Sequence, residues 1–309
     1  MPALQQISDY LMSERGRSVL SLLYGSDPGV IASQTKRYQN LLQQFSQVFP
    51  KRQMVEIFSA PGRTEIGGNH TDHNAGRILA AAVDLDIIAA VAPNDSDYIH
   101  VRSEGYPDSI VKLSELDMVE SEKYTATALV RGVCSRFRQL GFSIGGFDAV
   151  ATSRVPKGSG LSSSAAFEVL ITIILNHLFN QGRIDRVLLA QISQYAENQY
   201  FDKPCGLMDQ TTSAVGGFVT IDFKDFEKPV VKKVAHDFSA SGYSLVIVDT
   251  GGDHADLNFE YEALEHEMKS VARALGGQVL REFSEAEVFN KLDYLRQKVS
   301  DRAILRAIH

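Results

Sequence analysis

An α+β fold is what this amino-acid sequence predicts, and three observations carry the expectation. Strand-like and helix-like segments follow one another without the regular βαβ alternation of a doubly wound sheet. No internal repeat or low-complexity segment interrupts the 309 residues. With 44% hydrophobic and 22% charged residues, the chain has the composition of a globular protein and enough apolar material for a sizeable core.

The elements follow in order. Residues 10–24, YLMSERGRSVLSLLY, and 36–49, KRYQNLLQQFSQVF, space apolar residues three and four apart and read as helices with one buried face. Residues 54–93 change period and read as strand, glycine-rich loop, strand. YIHVRSE (98–104) and SIVKLSEL (109–116) alternate as half-buried strands do, and TATALVRGVCSRFRQLG (125–141) is a helix closed by Gly141. GGFDAVATSRVP (145–156) is a strand that feeds a helix running through about Phe179, and DRVLLAQISQYAENQYF (185–201) is a second helix. CGLMDQTTSAVGG (205–217) reads as a loop with a helical turn, GGFVTIDF (216–223) and YSLVIVDT (243–250) as strands, and residues 258–277 as a long helix.

Composition excludes some functions. A net charge of -7 gives no electrostatic drive toward a phosphate backbone or an anionic membrane, so nucleic acid and membrane are not expected partners. The most apolar stretch, ILAAAVDLDIIAAVAP, carries Asp84 and Asp86, which argue against a membrane span, and the first residues lack the pattern of a secretory signal. Cys134 and Cys205 are too few for a disulfide framework and form no CxxC pair, which fits a soluble protein of the reducing cytoplasm.

Three stretches carry chemistry. In VPKGSGLSSSAAFEVL (155–170), Gly158 and Gly160 free the backbone for positive φ, and Ser162, Ser163 and Ser164 stand where a helix leaves its first amides unpaired. Aligned amides, the helix dipole and hydroxyl donors make such a turn an anion site, with phosphate as the expected guest. The competing reading is a plain turn with Ser162 as N-cap. The stretch is neither a Walker A loop nor GxGxxG. The helix behind it is apolar almost all round and is expected at the centre of the fold.

PGRTEIGGNHTDHNAG (61–76) crowds Arg63, Asn69, His70, Asp72, His73 and Asn74 into a polar loop between two apolar strands, a setting suited to a small polyhydroxylated ligand. Metal binding competes, with His70, Asp72, His73, Asp253, His254 and Asp256 as possible ligands, yet no HExxH or EF-hand spacing is present. His73 reads as a surface residue or as one standing behind the site. Asp209 sits among apolar and small residues, as a helix cap or, if it faces Arg63, as half of a phosphoryl-transfer pair. A neighbouring guanidinium makes a carboxylate a weaker base, so positioning would outweigh proton abstraction.

Together these stretches resemble the galactokinases of the GHMP kinase superfamily, over about Ala60 to Tyr261: the galactokinase signature, the phosphate loop, and, in AENQYFDKPCGLMDQ (196–210), the segment with the family's Mg²⁺ glutamate and catalytic aspartate. The resemblance implies a two-lobe GHMP kinase fold, with a ribosomal-S5-domain-2-like N-terminal lobe over residues 1–222 and a partial ferredoxin-like C-terminal lobe over 223–309. It implies ATP-dependent phosphorylation of a sugar at its anomeric hydroxyl. Carried over by position, Asp209 and Arg63 are catalytic, and Asn69, His70, Thr71, Asp72, Gly206 and Tyr261 hold the sugar. Ser103, Gly158, Ser159, Gly160, Leu161, Ser162, Ser163 and Ser164 bind ATP, with Ser164 and Glu197 on Mg²⁺.

Departures bear on the substrate and on completeness. Asn69 stands where the signature has a glutamate, which weakens the case for galactose itself. Asp202 replaces a usual glycine, and the arginine pair that usually follows the tyrosine is missing. DRAILRAIH (301–309) resembles a segment that lies well before the family's usual terminus, so a shortened C-terminal lobe with exposed sheet edges is expected. A sugar-1-kinase is the leading expectation. A sensor that binds sugar and ATP without catalysis, and a GHMP kinase for another small alcohol, are the alternatives; intact Asp209, Arg63 and serine turn favour catalysis over sensing.

Overall fold

The structure, a computed structural model, describes residues 1–235, 241–243, 245–248 and 258–309, apart from the side chains of residues 258, 259, 261 and 262. Helices α1 (Leu4–Met12), α2 (Glu14–Tyr24) and α3 (Pro28–Val48) come first. Ser13 and Asp27 start α2 and α3 by accepting the amides of Gly16 and Val30, and Pro28 fixes the first turn of α3. Strands β1 (Glu56–Gly67), β2 (Arg77–Pro93), β3 (Tyr98–Ser103), β4 (Ser109–Lys112), β5 (Phe147–Ser153), β6 (Phe218–Asp222) and β7 (Val230–Val234) form one seven-stranded sheet. Helices α4 (Ala126–Gln139), α5 (Ser163–Asn180), α6 (Arg186–Ala196) and α7 (Met208–Val215) are interleaved with these strands.

β2 is the spine of the sheet. It pairs antiparallel with β1 along most of its length, with β5 through Ile87 to Pro93 and with β6 through Arg77 to Ala81. Its near-continuous apolar run is explained by burial on both faces. Ile87, Ala89 and Val91 belong to the main core with α4 to α7, whereas Ile88, Ala90 and Ala92 belong to a second core beneath α1 to α3. Phe137, Phe147 and Ile171 are fully buried in the main core, each contributing roughly 1.5–3 kcal/mol by leaving water. α5 is apolar enough to pass for a membrane span, but Ala165 to Thr172 are all buried within this core.

Asp86 is a structural anchor. It is buried and accepts hydrogen bonds from Tyr24 (2.6 Å), Ser59 and Arg37 (2.6 Å), fastening α2 and α3 to the sheet. The carboxylate that argues against a membrane in the sequence therefore ties the N-terminal helices to β1 and β2 at the edge of the second core.

Three expectations are corrected. Residues 205–217 hold an eight-residue helix, α7, rather than a loop with a turn, because the Asp72 carboxylate accepts the Met208 amide and caps the helix from outside. The helix expected over 185–201 is regular only to Ala196 and continues as a π turn through Phe201, closed by Asp202 at φ +67°. Asp tolerates this left-handed conformation, which accounts for glycine being usual there. The strand expected over 243–250 is absent from its described residues: Tyr243 and residues 245–248 are exposed and pair with no strand, while Ser244, Asp249 and Thr250 lie outside the described residues. β7 escapes the sequence reading because VVKKV does not alternate; it is an edge strand whose Lys232 and Lys233 discourage further pairing.

α8 (Asn258–Leu275), α9 (Glu285–Asn290), α10 (Leu292–Leu295) and α11 (Asp301–Ile308) build a third small core around Val271, Leu295 and Ile304. It leans on the signature loop: Asn74 accepts the Leu280 amide (3.3 Å), and Arg281 donates to the Ala75 carbonyl (2.7 Å) and to Asp222 (2.6 Å).

Candidate active site

Arg63, Asp209 and the glycine-serine turn meet at one place. Arg63 lies on β1 just past a register shift at Pro61, and its amide donates to the Leu161 carbonyl (3.1 Å). A Cβ at Gly62 would come 2.9 Å from that same carbonyl, so glycine is what lets the strand and the turn touch. The buried Arg63 guanidinium forks onto Asp209, with Nε to Oδ1 at 2.6 Å and Nη2 to Oδ2, and its Nη1 donates to the Gly160 carbonyl. Asp209 is the second residue of α7, where the helix dipole favours a negative charge.

Burial would raise the Asp209 pKa, but the charges of Arg63 and His70, with hydrogen bonds from Arg63 and Ser162, hold it below the usual carboxylate value. Burial would likewise lower the Arg63 pKa, and Asp209 more than reverses it. The pair is therefore fully ionised at neutral pH, which favours orientation and charge stabilisation over strong general-base work.

In the turn, Gly158 and Gly160 have φ of +69° and +73°, as the sequence predicts, and Ser162 is also left-handed at +59°. Ser162 occupies the N-cap position of α5 without a side-chain capping bond. Ser162 is thus the N-cap by position, as the plain reading has it, although its hydroxyl makes no capping bond. Ser159 donates to the Pro156 carbonyl (2.7 Å) and Leu161 is buried beneath the turn. Ser103 ends β3, in register with Ala151 of the parallel strand β5, which runs directly into the turn.

The signature loop lies against Asp209 from the other side. His70 Nε2 is 3.7 Å from Asp209 Oδ1, and its Nδ1 is 3.2 Å from Asp72 Oδ1. Burial lowers the His70 pKa, but the Asp72 hydrogen bond and the Asp209 charge raise it on balance. Asp72 is buried against Gly206, where any Cβ would overlap its carboxylate, and burial is outweighed by the His70 hydrogen bond and by His73, whose Nδ1 lies 3.8 Å away, so its pKa is held far below the usual value. His73 stands behind Asp72 with Nε2 3.4 Å from Met268 Sδ. Thr71 braces the loop through the Gly68 carbonyl (2.7 Å). Asn69, at φ +53°, donates to the His309 carbonyl (3.1 Å). Tyr261 lies in α8, but its side chain is outside the described residues.

Beside Asp209 a second set gathers. Ser164 Oγ donates to Glu197 Oε1 (2.8 Å), and Gln210 Nε2 joins Glu197 Oε2 (2.8 Å) to Glu168 Oε2 (3.3 Å). Burial and the adjacent Glu197 push the Glu168 pKa well up. Glu168 Oε1 and Gln210 Oε1 are buried without a hydrogen-bond partner. Hard hydroxyl and carboxylate oxygens are the donors Mg²⁺ takes when phosphates complete its shell, so Ser164 and Glu197 fit that ion. Among the described residues no group of three or more His, Cys, Asp or Glu could hold a metal on protein ligands alone; Asp253, His254 and Asp256 lie outside them.

Sequence reasoning missed Glu168, Lys203 and Gln210. Glu168 was findable as a lone carboxylate in an apolar helix, four residues and hence one turn past Ser164. Nothing in the local sequence signals the contact between Lys203 and Glu197.

The fold and the sequence matches place the chain in the GHMP kinase class: residues 128–217 match the family described as GHMP kinases N terminal domain, and residues 43–93 match the galactokinase galactose-binding signature. The chain is 32% identical over 255 residues to the galactokinase of Streptomyces coelicolor and 30% identical over 273 residues to that of Clostridium tetani, covering 82% and 87% of this chain. It belongs to the galactokinase family. The chain spans 65% and 68% of the lengths of those two relatives. In fold it matches the crystal structure of Lactococcus lactis galactokinase complexed with galactose, with a TM-score of 0.73 over 88% of this chain and 70% of the other at 23% identity. Methanococcus jannaschii mevalonate kinase follows with a TM-score of 0.52 over 80% of this chain and 72% of the other at 14% identity.

Proposed function

We propose that this protein transfers the γ-phosphoryl group of ATP to the anomeric hydroxyl of galactose or a related sugar. The observation that carries the proposal is the Arg63 guanidinium, bonded at once to the Asp209 carboxylate and to the Gly160 carbonyl of the serine turn. Asp209 orients the attacking hydroxyl. The oxygen forms its bond to phosphorus as the bond from phosphorus to the bridging oxygen breaks, and the hydroxyl proton passes to Asp209 once the oxygen has become acidic. Arg63 stabilises the charge that spreads over the moving group.

His70, Thr71, Asp72, Asn69, Gly206 and Tyr261 form the sugar side. Asp72 acts there by fixing His70 and the start of α7. Ser103 and residues 158–164 form the nucleotide side, and Ser164 and Glu197 hold the divalent ion, whose charge offsets that of the phosphates when bound. In this reading residues 1–222 are the lobe that carries the site and 223–309 part of a second lobe. Cytoplasmic residence fits Cys134 and Cys205, both free thiols. Incubation with Mg-ATP and a panel of hexoses and pentoses, read by ³¹P NMR, should give a sugar 1-phosphate; a panel with no product overturns the proposal.

A further inference from the structure

We infer that Lys203 is a positioning residue that competes with the divalent ion for Glu197, holding its carboxylate until metal and nucleotide arrive together. The inference rests on the reading of Ser164 and Glu197 as the metal pair. Lys203 Nζ lies 3.3 Å from Glu197 Oε1, the same oxygen that Ser164 Oγ contacts at 2.8 Å. The ammonium thus stands at the place where the ion would enter.

Both the need for a cation and its ability to leave are visible. The Glu197 side chain is 2% exposed, and the Glu168 carboxyl is its neighbour through Gln210, so an ionised Glu197 requires a counter-charge. Lys203 supplies one from a side chain that is 39% exposed. Its backbone is fixed by a hydrogen bond from its amide to the Glu197 carbonyl (3.2 Å) just past the left-handed Asp202, so the ammonium can swing while its root stays in place. Two cations on one carboxylate oxygen repel each other. Entry of the ion therefore displaces the ammonium, which is then free for a phosphate oxygen. Free metal is disfavoured relative to metal carried on a nucleotide, because only the nucleotide gives the displaced lysine a new partner.

The probe is Mn²⁺ alone, titrated into the full chain without nucleotide and followed by the EPR signal of the free ion. Lys203→Met should bind Mn²⁺ about tenfold more tightly than the parent, since a competing charge has gone. Binding of a fluorescent Mg-nucleotide analogue should weaken several-fold in the same variant. A misfolded variant would lose Mn²⁺ affinity, the opposite sign, and Lys203→Arg should stay near the parent. Unchanged or weaker Mn²⁺ binding in Lys203→Met, with Glu197→Gln abolishing it, overturns this inference and leaves the metal reading standing. If Mn²⁺ binding survives Glu197→Gln, the metal reading falls and the inference falls with it, whereas the sugar-kinase reading is decided separately by product formation.

Discussion

Arg63 holds both carboxylate oxygens of Asp209 from a strand 146 residues away in sequence, and neither side chain has freedom to turn without releasing the other. Asp209→Asn removes the charge but keeps the size, leaving one acceptor for the guanidinium. Phosphoryl transfer should fall by on the order of 10²–10⁴, with sugar binding retained. Steady-state kinetics and calorimetry on the same preparation check both halves.

Arg63→Lys keeps a positive charge but cannot fork onto Asp209 and reach Gly160 at once. A loss on the order of 10²–10³ in kcat is expected, the scale of removing one preorganised donor at a reacting centre. A full loss of nucleotide binding as well would show that the turn collapses without the guanidinium.

Gly206→Ala forces a methyl into the Asp72 carboxylate. The cost should be about 1–3 kcal/mol of stability, read by urea unfolding. A raised KM for sugar should accompany it, because Asp209 lies three residues further along the same segment.

Asp86→Ala strands the buried Arg37 guanidinium and should cost about 3–5 kcal/mol. The double change Arg37→Met with Asp86→Leu should recover most of that loss. Chemical denaturation of the two variants beside the parent tests the claim that this pair anchors the N-terminal helices.

The ionisable groups at the site move in opposite directions. The His70 pKa is raised, so its pairing with Asp72 stabilises the protein fully below the ordinary histidine value, roughly 6.5, and that contribution fades as pH rises through the folded value. The pKa values of Asp72 and Asp209 are lowered, so their contributions are present above the ordinary carboxylate value and fade as pH falls through the folded ones. An NMR titration should place the His70 midpoint above that of a free histidine, and Asp72→Asn should bring it down.

Much of this was legible in the sequence, for physical reasons. The glycines of the turn announce positive φ, the apolar circumference of α5 announces a central helix, and the near-continuous apolar run in β2 is what a strand buried on both faces must look like. Periodicity reports only burial within one element. It could not show that Asp86 fastens α2 and α3 to the sheet, that α7 gains its first turn from Asp72, or that Lys203 meets Glu197, because each depends on residues brought together from separate elements or across a turn. Of the strand expected at 243–250, Ser244, Asp249 and Thr250 lie outside the described residues, and Tyr243 and residues 245–248 carry no strand among the described ones.

The left-handed backbone of Ser162 sets two demands against each other. A serine there resists its own conformation, at a cost of order 1–3 kcal/mol, and glycine would relax it. Yet glycine has no hydroxyl to help hold the Asp209 carboxylate ionised. Ser162→Gly should therefore make a hardier protein and a slower enzyme, and the turn can be understood as tension kept in reserve for the sake of alignment.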